Sequence, residues 1–226
     1  MRSLVTTGFL LCASLVAAAQ TSVPPNSGDR VGYPFKNASI LKPPADAKVV
    51  IYEFEDMECP VCAGDFTAVR AAVLRYKIPF ARRDFPLTEI HLWSFDAAVT
   101  ARYIEDSISQ GLAEEFRRDV FANQQSINSK DDLVAFTRRW FQAHHQSLPF
   151  VMDASGACKN EVKADRALGD RIGIRGTPCV FVVTRSSWTL VSDVSQLNRT
   201  IELALAQTST QPSAPAAASR PRSTHP

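Results

Sequence analysis

The chain has 226 residues, 45% of them hydrophobic and 21% charged, with a net charge of +2 at neutral pH. This length suits one large domain or two small ones, and the apolar share is that of an ordinary globular fold. Basic residues are scattered rather than massed, which excludes a nucleic-acid stripe, and nothing in the balance of charge asks for an acidic partner.

The first residues read as a targeting segment. Arg2 precedes the apolar stretch LVTTGFLLCASLVAAA, which ends in small residues with Ala17-Ala18-Ala19 as a cleavage site, so residues 1–19 are expected to be a secretory signal peptide. The stretch is short for a membrane span. Cys12 follows Leu11 rather than the small residue that precedes a lipidated cysteine. Removal of this segment places the mature protein in the periplasm or outside the cell, where disulfides persist. Cys59, Cys62, Cys158 and Cys179 then remain, too few to scaffold a chain this long, so the fold must rest on its core. Residues 20–45 read as irregular, broken by Pro24-Pro25 and Pro43-Pro44, and residues 208–226, rich in Pro, Ala and Ser, read as a disordered tail. One ordered domain is expected over residues 46–207.

Within it, VVIYEF (49–54) is a continuous apolar, β-branched and aromatic run, the pattern of a strand buried on both faces. CPVCAGDFTAVRAAVLRYK follows as a helix, with Pro60 in its first turn and Phe66, Val69, Val73 and Tyr76 at spacings of three and four. IPFARRDFPL (78–87) reads as a second strand, completing a βαβ unit. From Trp93 to Gln146 the pattern is helical. Ala97, Ala101, Ile104 and Ile108 form one stripe and Phe116, Val120 and Phe121 another, while Ser129 with Asp132 resembles a capping box ahead of Leu133, Phe136, Trp140 and Phe141. Trp93 and Trp140 are expected to fill this block, taken as an insertion over residues 90–150. The α/β pattern then returns: a helix at ACKNEVKADRALGDRIG with Cys158, Val162, Leu168 and Ile172 on one arc, strands at CVFVV and WTLVSD, and a last helix at VSQLNRTIELALAQ.

The pair Cys59 and Cys62, in FEDMECPVCAGDF, could bind metal, staple the chain or exchange electrons. A zinc site needs two further ligands, and neither Cys158, Cys179 nor His144-His145 offers a second pair at suitable spacing. A structural disulfide here would close a very small loop and gain little. The redox reading has positive support. A thiolate at a helix N-terminus is stabilised by unpaired N–H groups and the helix dipole, which suits an exposed Cys59, while Cys62 one turn inside is shielded. Gly176-Thr177-Pro178 precedes the CVFVV strand, and an X-Pro bond here could be cis. Glu53, a carboxylate in an apolar strand six residues before Cys59, is either a proton shuttle for Cys62 with a raised pKa or an edge or salt-bridged residue. The acidic neighbours Glu55, Asp56 and Glu58 would raise the Cys59 pKa unless they point to solvent, and His91 reads as a surface or helix-entry residue rather than a catalytic one.

The stretches FEDMECPVC, RRDFPLTEIHLWSFDAAVTAR, VFANQ and VKADRALGDRIGIRGTP resemble the DsbA-like branch of the thioredoxin superfamily, over about residues 38–206. The resemblance implies an α/β thioredoxin fold with an inserted helical domain and an extracytoplasmic thiol–disulfide oxidoreductase. It implies Cys59 as nucleophile, Cys62 as resolving cysteine, Pro178 as a cis proline opposite them and Glu53 as the buried acid. Thr177, Pro178, Pro60 and Val61 would then meet an extended protein substrate, unfolded or partly folded. No cofactor is implied. A membrane partner, a quinone-linked oxidase or a thiol donor, would recharge the site. A disulfide donor is the first expectation; a reductase or isomerase of the same fold, or a peptide-binding chaperone module, are the alternatives. Residues 20–45 are too short for the dimerisation domain of dedicated isomerases, so a monomer is expected. Two departures stand out: Pro60-Val61 replaces the Pro-His dipeptide of the best-studied oxidases, and Cys179 stands where a small residue or Thr is usual. Cys158 and Cys179 are a candidate second disulfide, the alternatives being a buried Cys158 and a third redox thiol at Cys179.

Overall fold

The computed structural model describes residue 35 and residues 37–210; the expected signal peptide and the tail beyond residue 210 lie outside the described residues. The elements run in the order β1 (Val49–Glu55), α1 (Pro60–Tyr76), β2 (Phe80–Asp84), α2 (Ser94–Ser107), α3 (Gln110–Asn123), α4 (Lys130–Ala143), α5 (Ala157–Ile172), β3 (Cys179–Thr184), β4 (Trp188–Val191) and α6 (Leu197–Thr210). Every element read from the sequence is found, with ends that move by a few residues. Helix α6 runs three residues past 207, where the tail was expected to begin. There the hydroxyls of Thr208 and Ser209 both donate to the Leu205 carbonyl and extend the last turn.

The sheet order is β2-β1-β3-β4, with β1 parallel to β2 and antiparallel to β3, and β3 antiparallel to β4. Period-2 alternation in β1 and β3 divides their side chains between two layers. Val49, Ile51, Val180 and Val182 meet Val69 and Ala72 of α1 and Leu197 and Ile201 of α6. Val50, Phe54, Phe181 and Val183 face the other way, onto Ile172 of α5 and Ala38 and Leu41 of the N-terminal segment. Most of the expected irregular segment 20–45 lies outside the described residues; its described part carries a short 3-10 turn at Ala38–Ile40. Burial on both faces is why β1 and β3 read as unbroken apolar runs.

Close packing also explains a glycine in the middle of α5. A Cβ at Gly169 would lie 2.4 Å from a ring carbon of Phe85 and 3.3 Å from one of Phe54, so the helix backbone itself closes this layer.

Helices α2, α3 and α4 form the insertion, with a core of Ala97, Ala101, Ile104, Phe116, Val120, Leu133, Trp140 and Phe141. The capping reading at α4 is met: the Ser129 hydroxyl accepts from Asp132 N at 3.1 Å. Trp93 is buried and donates from Nε1 to the Ile127 carbonyl at 2.9 Å, and Trp140 donates to Asp119 at 3.0 Å. Each indole has found a partner for its polar atom, as buried tryptophans must. Cys59, Cys62 and Phe66 belong to this same cluster. The insertion's core therefore continues directly under the CxxC turn.

Candidate functional site

The parallel step from β1 to α1 brings the chain out at the end of the sheet and turns it into a helix at Cys59. Cys59 is the N-cap of α1, with extended backbone, and Pro60 occupies the first helical position, where its missing N–H costs nothing. Cys62 is one turn inside and almost fully buried, and Cys59, expected to be exposed, is only 6% exposed because the helical insertion's core packs against it, whereas Val61 is 56% exposed and Pro60 is exposed. The Thr177–Pro178 peptide bond is cis, and the Cys59 Sγ lies 3.4 Å from the Thr177 carbonyl oxygen. Residues 118 positions apart are thus brought into contact. Thr177 lies before the β3 ladder begins.

The two thiols are driven apart electrostatically. The hydrogen bond from the Cys62 thiol is the largest cause that brings the Cys59 pKa down, to about 6, outweighing burial, with help from Thr177 and the N–H groups of Cys62 and Val61. The Thr177 hydroxyl is buried and has no other protein hydrogen-bond partner. Cys62 goes the other way: burial and the adjacent Cys59 push its thiol well above the ordinary range. The two shifts run in opposite directions, toward the thiolate at Cys59 and toward the thiol at Cys62.

The acidic run before Cys59 does not point to solvent. Glu53, Glu55 and Asp56 are each at most 2% exposed, because arginines and backbone donors reach them. Arg70 of α1 pairs with Glu53 at 2.5 Å. Arg82 and Arg117 hold Glu55 at 2.8 and 2.9 Å, and Arg117 continues to Asp84 at 2.7 Å. Arg102 bridges Asp84 and Asp165, both at 2.6 Å, so a chain of ion pairs fastens the insertion to β2 and α5. Burial raises the Glu53 carboxyl to about 7, helped by the charge of Glu55 and opposed by Arg70 and Arg82. Glu53 makes no hydrogen bond with Cys62; its partner is Arg70, so the salt-bridged alternative describes its contacts.

Asp56 sits between the cysteines and the insertion. Its carbonyl accepts from Cys59 N at 3.1 Å and its N–H points at Cys62 Sγ at 3.5 Å. Its carboxylate accepts from Glu58 N, Leu87 N and His91 Nδ1, at 2.8, 2.7 and 2.7 Å. His91 is therefore half-buried and anchored rather than a free surface residue. Glu58 in turn accepts from Trp93 N at 2.7 Å. Gln124 was missed in the sequence: its side-chain amide donates to the carbonyls of Met57 and Cys59, at 2.9 and 3.1 Å. Its only sequence signal was its place in the VFANQ stretch.

Cys158 and Cys179 do not form the second disulfide. Cys158 starts α5 and packs with Ala98, Val99 and Val162, its Sγ 3.9 Å from Asp106. Cys179 packs with Phe54, Phe85 and Ile172, and its thiol donates to the Gly176 carbonyl at 3.3 Å. Ile172 is at the opposite end of α5 from Cys158, a helix rise of about 21 Å, far beyond the Cα separation of about 7 Å that a disulfide spans. Cys158 is thus a buried small hydrophobe, and its burial raises its thiol pKa to about 11. Among the described residues no group of three or more His, Cys, Asp and Glu side chains is arranged to hold a metal ion.

This arrangement can be set beside known proteins. The structure is similar to that of alpha-DsbA1 from Wolbachia pipientis, in a variant with two cysteines replaced by alanine, with a TM-score of 0.61 and 15% identity over 75% of this chain and 96% of that one. It is similar to ScsC from Proteus mirabilis in a transitional conformation, with a TM-score of 0.57 and 17% identity over 73% and 71% of the two chains. For MdbA, described as a thiol-disulfide oxidoreductase from Corynebacterium matruchotii, the TM-score is 0.51 and the identity 16%, over 70% and 83%. The expected DsbA-like architecture is thus met at the level of the fold. Among curated proteins, a Na(+)/H(+) antiporter NhaA 3 from Salinispora tropica is 29% identical over 143 residues, 63% of this chain and 21% of that protein. An NhaA 1 from Mycobacterium is 34% identical over 88 residues, 38% of this chain and 14% of that one. The chain thus spans about a fifth or less of the curated relatives it matches. The profile described as thioredoxin matches residues 44–202, the greater part of the sequence, and the chain belongs to the thioredoxin family.

Proposed function

We propose that this protein is an extracytoplasmic thiol–disulfide oxidoreductase that donates its Cys59–Cys62 disulfide to protein thiols. The observation that carries the reading is the placement of Cys59 at the N-cap of α1 against the cis Thr177–Pro178 turn, with Cys62 buried one turn inside, and the opposed shifts of the two thiols agree with it. A stabilised Cys59 thiolate favours the reduced form of the pair and makes its disulfide a better oxidant. It also makes Cys59 the better leaving group within a mixed disulfide.

In the donating direction, a substrate thiolate attacks Cys59 Sγ, the Cys59–Cys62 bond breaks, and Cys62 leaves and takes up a proton. A second substrate thiolate then attacks the substrate sulfur of the mixed disulfide. The substrate leaves with a new disulfide, oxidised by two electrons, and the protein is left as the dithiol. A membrane partner, a quinone-linked oxidase, accepts those electrons and restores the disulfide. The exposed Pro60 and Val61 and the backbone of Thr177 before the cis Pro178 are the surface offered to an extended, unfolded or partly folded substrate. Glu53 is paired with Arg70 in the resting site, and its buried carboxyl, raised to about 7, is proposed to serve the Cys62 step only as a nearby proton reservoir without direct contact. Signal-peptide removal and a periplasmic or secreted location are part of the same proposal.

Two measurements test it. Cys62→Ser should trap mixed disulfides through Cys59 in cells, and Cys59→Ser should trap none. The reduction potential of the pair, from glutathione titration with alkylation, should fall toward the disulfide-donor end, about −120 mV, rather than the thioredoxin end, about −270 mV. A potential near the latter would reverse the electron flow and make the protein a reductase.

A further inference from the structure

Gln124 belongs to the helical insertion, in the 3-10 turn Gln124–Ser126 that ends α3. Its half-buried side chain crosses to the CxxC loop and donates from one amide nitrogen to the Met57 carbonyl at 2.9 Å and the Cys59 carbonyl at 3.1 Å. Its two acceptors bracket Glu58, so one amide fixes two peptide planes on either side of the turn into α1.

The Cys59 carbonyl is also the first acceptor of the helix, taking the Ala63 N–H at 3.2 Å, and the Cys59 N–H is held by Asp56. Both peptide groups of the nucleophile are therefore anchored. Of those anchors, the Ala63 and Asp56 bonds come from the CxxC loop and its helix, and Gln124 is contributed by the insertion. Cys59 has extended backbone, φ −76 and ψ 120, and its Sγ lies 3.4 Å from the Thr177 carbonyl oxygen and meets the N–H groups of Val61 and Cys62. A peptide free to rotate at this N-cap would carry the sulfur away from the N–H groups that receive it.

We propose that Gln124 is a positioning residue for the nucleophile: its amide bonds to Met57 and Cys59 hold the Cys59 sulfur in register with the α1 N-terminus. The insertion thereby takes part in tuning the thiol as well as covering it. The inference rests on the exchange chemistry proposed above, but it is read on the thiol itself, without substrate or membrane partner.

The experiment compares wild-type protein with Gln124→Met, which keeps the length of the side chain and removes both donors, and with Gln124→Ala. Cys59 ionisation is followed by the pH dependence of its alkylation rate, resolved by peptide mass spectrometry. The Cys59 midpoint is expected to rise by roughly half a unit to one unit in both variants, the effect of losing a modest hydrogen bond on one protonation state. The reduction potential should fall in parallel in both. A Cys59 midpoint and potential unchanged in a folded variant, with only the melting temperature lowered, would overturn the inference and leave Gln124 a purely structural contact. Failure of both variants to fold would overturn it equally. A wild-type Cys59 that titrates like an ordinary cysteine would instead strike the proposed function, so the two failures are distinguishable.

Discussion

Replacing Cys62 by Ala should change the acidity of Cys59 more than any other single substitution at the site. The Cys62 thiol donates the hydrogen bond that is the largest cause of the low Cys59 pKa, about 6. A hydrogen bond to a charged group contributes about 1.5–3 kcal/mol, and one pKa unit corresponds to about 1.4 kcal/mol. The Cys59 midpoint should therefore rise by about 1–2 units. The sign follows from an acid whose folded-state pKa is depressed. Its contribution to the stability of the dithiol form is complete above the unfolded thiol pKa and is lost as pH falls through about 6. At pH 7 it comes to about 1.4 kcal/mol, or about 30 mV on a two-electron couple. The assay is the rate of Cys59 alkylation against pH in the fully reduced wild-type and variant proteins, with urea melts at pH 5 and pH 8 alongside. A variant whose midpoint stays at the wild-type value would refute the assignment of that hydrogen bond as the main cause.

Three further outcomes follow from the packing and the buried charges. Gly169→Ala places a Cβ 2.4 Å from Phe85 and should cost about 1–3 kcal/mol in urea unfolding; an unchanged midpoint would mean that the α5 layer can yield. Arg117→Met removes the guanidinium shared by Glu55 and Asp84 and should cost about 3 kcal/mol, since each carboxylate keeps only one of its arginines. Burial opposes the Asp84 charge, but Arg117 and Arg102 hold its carboxyl down at about 2, so this group stabilises the fold above its unfolded pKa and the contribution is lost as pH falls toward 2. The acid unfolding of Arg117→Met should therefore begin at higher pH than that of the wild type, and coincident acid transitions would argue against the pairing. Glu53, with burial raising its folded pKa to about 7, has the opposite sign: its favourable contribution is complete below the unfolded carboxyl value and declines as pH rises through about 7. Glu53→Gln should gain on the wild type between pH 5 and pH 8, and parallel stability curves over that range would show that Glu53 does not titrate there.

The local elements were legible because each carried its own pattern. VVIYEF reads as a doubly covered strand because both of its faces are in fact covered, by α1 and α6 on one side and α5 on the other. The start of α1 at the CxxC was legible because Pro60 suits a first helical turn, and the fold sets Cys59 beside Thr177 and the cis Pro178. The capping box at Ser129 and the helical stripes needed only neighbours three and four positions away.

What the tertiary structure decided concerns groups that meet across long stretches of chain. An acidic run reads as solvated when its arginines lie in other elements; Arg70, Arg82 and Arg117 become its partners only when α1, β2 and α3 converge on the end of β1. His91 and Gln124 look like surface residues until the insertion folds back on the cysteine loop. Cys158 and Cys179 look like a pair because both are left over in sequence, yet they lie near opposite ends of α5. Periodicity and motif chemistry are local, so the sequence alone determined the strand, helix and thiol pattern. The electrostatic setting of those thiols depends on which distant charges and amides the fold brings within hydrogen-bonding distance, and that was decided by tertiary packing.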